Sequence, residues 1–170
     1  MNAQRATRFR FVFTATVALL MSAHIANSES PSCLTTLPAT GPSFVPSPPY
    51  WLVPADGTFW YGSDALWTAL PDDGVWHVKD NVDKNGGYAT KLIFWHNGFD
   101  WRKEREPNFT LTGKRLDADA PAIVIRGCDP VFAPAVGAMM IGLDVPTTGC
   151  WKFAARYHAH ALTFVVLVEQ

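Results

Sequence analysis

The chain has 170 residues, of which 48% are hydrophobic, 17% charged and 13% aromatic, with 14 Lys and Arg against 15 Asp and Glu. That length allows one domain plus a leader or linker, and the apolar and charged shares exclude both general disorder and a coiled coil. The near balance of charge lacks the basic stripe a nucleic-acid partner requires, so no nucleic acid is expected.

Residues 1–28 read as a signal peptide. Arg5, Arg8 and Arg10 precede an uncharged stretch at 11–23, and Ala26-Asn27-Ser28 offers a small-residue cleavage site. The apolar run is too short for a membrane span, which takes roughly 20 residues. A secreted or periplasmic protein is expected, with no transmembrane helix in the mature chain. Removing the three arginines leaves the mature chain acidic, with no electrostatic reason to bind anionic lipid. A lipid anchor at Cys33 is not expected, since Ser30 stands where a lipidation signal wants an aliphatic residue.

Residues 29–49 hold Pro31, Pro38, Pro42, Pro46, Pro48 and Pro49. Proline fixes φ and removes a backbone donor, so this stretch reads as an extended arm or spacer. The folded domain is expected at 50–170. There, apolar residues alternate in short runs at 58–62, 66–70, 75–79, 89–95, 109–112, 123–126, 139–145, 151–157 and 162–168. Turn residues such as Pro71-Asp72-Asp73-Gly74 and Pro146-Thr147-Thr148-Gly149 separate them. Eight or nine such strands without a helical repeat predict an all-β, antiparallel β-sandwich of Ig-like character. The aromatic residues are first of all core, each worth roughly 2–3 kcal/mol when buried.

Four blocks go further: Cys33-Leu-Thr-Thr-Leu-Pro38, the stretch 61–75, Gly113-Lys-Arg-Leu-Asp117-Ala-Asp-Ala-Pro121, and Pro146-Thr-Thr-Gly-Cys150-Trp followed by Arg156-Tyr157. Over about 33–170 the chain resembles a family of exported bacterial proteins without an assigned activity. That family shares a "GRRLDAPAP" block and a "PTxGCWEVTGRYG…LTFVV" ending. The resemblance implies a secreted or envelope-attached β-sandwich and carries no functional residue across. Cys128 and the His158-Ala159-His160 turn are departures from the shared pattern. Three cysteines in an exported chain allow one intramolecular bridge. Because Cys33 and Cys150 both stand in shared blocks, the resemblance favours that pair, with Cys128–Cys150 or three thiols as alternatives.

Three constellations could carry chemistry. His158 and His160, with His77, His96 or Cys128 in support, could converge on copper or zinc if they lay on one strand face. In a hairpin turn they would diverge. Trp60, Tyr61, Trp67, Trp76, Trp95 and Trp101 raise the question of a sugar-binding platform, with Trp95, Asn97 and Trp101 around an aromatic loop at 96–101 as its candidate residues, against the competing need of a sandwich for core tryptophans. Asp72 with Asp73, or Asp117 with Asp119, could serve as paired carboxylates of a hydrolase, although all four sit where aspartate forms turns. The run from Asp100 to Glu106 reads as a solvated loop. No metal, phosphate-loop or nucleophile motif is present, and no cofactor is expected. The leading expectation is a non-catalytic envelope or extracellular module that binds or supports a protein or cell-wall glycan. A periplasmic copper or zinc protein and a hydrolase are the alternatives.

Overall fold

The computed structural model describes residues 32–40, 44–46, 54–78, 82, 86–132 and 137–170. The signal segment at 1–28 and the expected domain start at Tyr50 lie outside these residues. Ten strands follow in order: β1 (Thr58–Ser63), β2 (Leu66–Pro71), β3 (Val75–His77), β4 (Tyr88–Trp95), β5 (Phe109–Arg115), β6 (Ile123–Arg126), β7 (Asp129–Phe132), β8 (Gly137–Val145), β9 (Gly149–Tyr157) and β10 (His160–Glu169). They form two five-stranded sheets, β1-β2-β4-β8-β7 and β3-β10-β9-β5-β6, arranged as a sandwich. The pairings are antiparallel except that of β3 with β10. The all-β expectation holds.

Alternation makes the sandwich. On β9, Trp151, Phe153, Ala155 and Tyr157 are buried while Lys152 and Arg156 are exposed. On β10, Leu162, Phe164, Val166 and Val168 face the same interior. Phe94 of the first sheet lies 4.9 Å from Phe109 of the second, and Phe153 lies 5.6 Å from Phe164. Strand β7 has no counterpart among the expected strands. Pro130 lacks a ladder donor and argues for a loop, yet an edge position tolerates it. Strand β3 ends at His77, although Val78 still donates to the Glu169 carbonyl at 2.8 Å.

The described part of the Pro-rich arm lies on the body. Cys33 is bonded to Cys150, with Cα atoms 5.5 Å apart. Beyond the bridge, the Thr36 amide donates to the Val165 carbonyl at 2.8 Å, and the Val165 amide donates to Thr36 Oγ1 at 2.9 Å. The arm thus borders β10 beyond the end of β3. Gly74, at φ 73°, admits this approach, since a Cβ there would stand 2.4 Å from Thr35 Oγ1.

A second latch closes the same corner. Arg115 Nε donates to Asp117 Oδ1 at 2.7 Å and Nη1 to Thr147 Oγ1 at 3.1 Å. Trp151 Nε1 donates to the Thr147 carbonyl at 3.0 Å, and the Leu116 amide to the Cys150 carbonyl at 2.7 Å. Gly149 (φ 129°) makes room for the guanidinium, because a Cβ there would lie 2.5 Å from Arg115 Nε. The sequence blocks at 113–117 and 146–151 therefore meet as a structural corner.

Candidate functional site

At one end of the sandwich, the two-residue turn His158-Ala159 joins β9 to β10. His158 takes φ 49°, a left-handed conformation uncommon for a residue with a Cβ. Its Nε2 lies 3.5 Å from Glu104 Oε2. His160 turns elsewhere, placing its ring 5.1 Å from that of His96, which in turn lies 5.0 Å from Tyr157. Glu104 also accepts hydrogen bonds from the Tyr157 hydroxyl and, at 3.2 Å, from the Asn108 amide. The two histidines sought as ligands thus address different partners. His77 is apart from them, 3.8 Å from Asp73. Among the described residues, no three His, Cys, Asp or Glu side chains are grouped to hold a metal ion.

The electrostatics of this end follow from burial and pairing. Burial raises the Glu104 pKa, but hydrogen bonds from Tyr157, Asn108 and His158 outweigh it and leave the carboxyl below its ordinary value. Burial, and then the hydrogen bond to Glu104, raises Tyr157. Burial lowers His96, and His160 and His158 lower it further. Cys128, the free thiol, is pushed up to about 12 by burial and by Asp129 and Glu104. A thiol held protonated in this way is not a nucleophile. Glu104 ties the 96–108 loop to the hairpin and Trp101 packs against the main core, so the run read as solvated has structural members. Its partner Tyr157 lies 53 residues away, and no local pattern announces it.

The carboxylate pairs are turn residues. Asp73 Oδ1 accepts the Val75 amide at 2.8 Å, and Asp117 is held by Arg115, whose hydrogen bond lowers its pKa. Asp72 and Asp119 are exposed and show no shared arrangement with them.

Trp95, Asn97 and Trp101 are not brought together. Asn97 is exposed in the loop after β4, its amide donating to the Asp64 carbonyl at 3.0 Å. Trp101 packs against the main core, with the guanidiniums of Arg102 and Arg105 at 4.4 and 4.9 Å from its ring centroid. Trp95 belongs to a separate apolar cluster with Trp60, Trp67, Ile93, Ala138 and Phe44. That cluster lies on the outside of the first sheet, because Phe94 and Leu92 on the same strand face the main core and successive residues point to opposite faces. Phe44 of the arm meets Trp67 edge-on at 6.0 Å.

Here the first sheet presents a cleft of about 300 Å³, walled by Trp60, Trp95, Ile93 and Ala69, with Thr58 and Lys91 at its margin. The two indoles stand 5.0 Å apart at 85°. Perpendicular rings make a notch suited to an apolar side chain rather than a broad flat platform. Of the residues weighed in the sequence, Trp60 and Trp95 meet here, whereas Asn97 and Trp101 lie elsewhere; that both strands are apolar on two faces was the signal for a layer outside the core.

No protein-family model, no curated protein and no solved structure matches the chain. Among the described residues no helix is long and apolar enough to cross a membrane, and the Cys33–Cys150 bond fits an oxidising, extracytoplasmic setting.

Proposed function

We propose that this is an exported, non-catalytic, Ig-like β-sandwich module of the envelope or extracellular space that binds a protein partner through the exterior of its first sheet. The signal-like leader and the disulfide support export. The observation that carries the binding reading is the Trp60–Trp95 cleft. The outward face of a sandwich sheet is ordinarily polar; here Trp60 and Ile93 stand partly exposed on it beside the buried Trp67 and Trp95, and apolar surface of this kind supports an interaction site. Indole side chains are also the residues that dominate protein interfaces. Lys91 at the margin suits an acidic or carbonyl-rich rim on the partner.

The test is photo-cross-linking in the intact host envelope. A photoreactive residue replaces Lys91, beside the cleft, or Lys114, on the exterior of the second sheet. A discrete protein adduct from position 91 and none from position 114 is the expected result. Equal adducts from both positions, or none from 91, overturns the reading.

A further inference from the structure

We propose that the outer edge of β1 is the docking line for an extended segment of a protein partner, which adds to the first sheet as a further strand. This deepens the binding-module reading above and rests on it.

The four edges of the two sheets are β1, β7, β3 and β6. Exposed edges invite pairing with other chains, and proteins blunt them with short strands, charges or proline. Strand β3 has three residues, β6 has four and ends in Arg126, and β7 carries Asp129 and Pro130. Strand β1, with sequence TFWYGS, has six residues and neither charge nor proline. Among the described residues it is the one edge of the four that carries none of these devices.

The register shows which of its groups are open. Asp64-Ala65 is a two-residue turn closed by the pair Ser63–Leu66. The closing pair of such a hairpin is hydrogen-bonded, and the bonded pairs then alternate, so Ser63, Tyr61 and Phe59 direct their amides and carbonyls at β2. Trp60 and Gly62 take the outward parity, Gly62 with φ 131° rather than the regular strand value. The Thr58 amide fits this parity, since it donates to Ala55 rather than to β2. Among the described residues no backbone group pairs with Trp60 or Gly62 on this side.

Beside this edge runs a groove of about 450 Å³, lined by residues 59–63 of β1 and by Leu37, Phe44 and Leu162. Charge complementarity defines the occupant. A line of alternating partial positive N–H and partial negative C=O groups, about 20 Å long, is matched by another extended backbone, and a glycan or lipid surface does not supply that alternation. Strand addition of this kind takes affinity from the main chain and specificity from alternate side chains. The partner segment therefore has apolar residues at alternate positions, set into the groove. An extended stretch of the chain's own arm already borders a strand in a related way, where Thr36 meets Val165 of β10 through one backbone and one side-chain hydrogen bond. A second copy of the chain fits less well, because pairing β1 with β1 would bring two sets of arm residues, each with its own Leu37 and Phe44, to one groove.

The test pans a phage-displayed library of random linear peptides against the mature disulfide-bonded protein, then follows amide hydrogen exchange with the recovered peptides bound. Strand addition predicts slowed exchange at Trp60 and Gly62, and recovered sequences that alternate apolar residues. Trp60→Ala and Trp60→Pro, each checked for native circular dichroism, separate backbone from side chain. Proline deletes an outward N–H that β2 does not use, so it should weaken peptide binding about tenfold beyond alanine, the worth of one hydrogen bond. Failure to enrich any peptide, bound peptides that leave both amides exchanging freely, or protection already present in a self-associated protein without peptide would each overturn the proposal. A cross-link from position 91 together with unprotected Trp60 and Gly62 amides would sink strand addition alone and leave the binding module standing.

Discussion

The two sheets treat their outer faces differently. On the second, Thr112 and Lys114 of β5 and Lys152 and Arg156 of β9 stand exposed, while the arm borders β10 and is bonded through Cys33. On the first, Trp60, Trp67, Trp95 and Ile93 form an apolar layer that Phe44 meets at one place and that opens into a cleft at another. The core between the sheets asks for neither arrangement, since Phe94, Phe109, Phe153 and Phe164 fill it from inside. The contrast teaches where to look for function. The second sheet carries mostly charged and polar side chains outward, with Val124 as an exposed exception, whereas the first carries a largely buried aromatic layer, with Trp60 and Ile93 partly exposed, beside its β1 edge.

The largest way to break this contrast is to release the arm. The Cys33–Cys150 bond closes a loop across a sequence separation of 117, worth about 4–5 kcal/mol in the chain-entropy account. Cys33→Ser with Cys150→Ser, or reduction of the wild type, should lower stability by up to that amount in urea melts. It should also free the Val165 amide to exchange. The corner latch comes next. Arg115→Ala removes the guanidinium bonds to Asp117 and Thr147 and should cost about 1–3 kcal/mol, while Lys114→Ala beside it on the same strand should change little.

Trp60→Ala sharpens the contrast from the other side. Its indole is half-buried against Trp95, so the loss in stability should be about 1 kcal/mol. Partner binding should fall at least about tenfold, as for a central aromatic anchor. A variant that melts like the wild type and binds like it would remove the cleft from the account.

The smallest effect is expected at the hairpin end, which neither exterior shares. The folded His96 pKa lies below its ordinary 6.5, so on acidification the unfolded chain takes up a proton first and stability falls as pH drops through that value. Glu104 also lies below its ordinary value, 4.5. Its contribution is present above that value and is lost as pH falls through the lower folded one. Melting temperature should therefore decline as pH drops through 6.5 and fall again below pH 4.5. His96→Asn should flatten the upper step alone.

Much of the fold was legible because strict alternation names a strand and its buried face together. Strands β5, β8, β9 and β10 show it plainly. Strand β7 was hidden by Pro130, whose missing donor is harmless only at an edge, and edges are a property of the finished sheet. The arm read as a spacer because six prolines dominate its composition. The bonding in fact comes from Cys33 and Thr36, which lie between Pro31 and Pro38. The tryptophans were harder. Strands β2 and β4 are apolar on both faces, so alternation alone could not say that Trp67 and Trp95 point outward and Leu66 and Phe94 inward. The join of Glu104 to Tyr157 and His158 spans strands and a loop far apart in sequence, beyond the reach of any local pattern.

Hydroxyl-radical footprinting would compare the two exteriors directly, with the purified protein set against the protein in its native envelope. The account predicts that Trp60 on the first sheet loses reactivity in the envelope while Val124, exposed on the second, keeps it. Unchanged oxidation of Trp60, or equal protection of Trp60 and Val124, would contradict it.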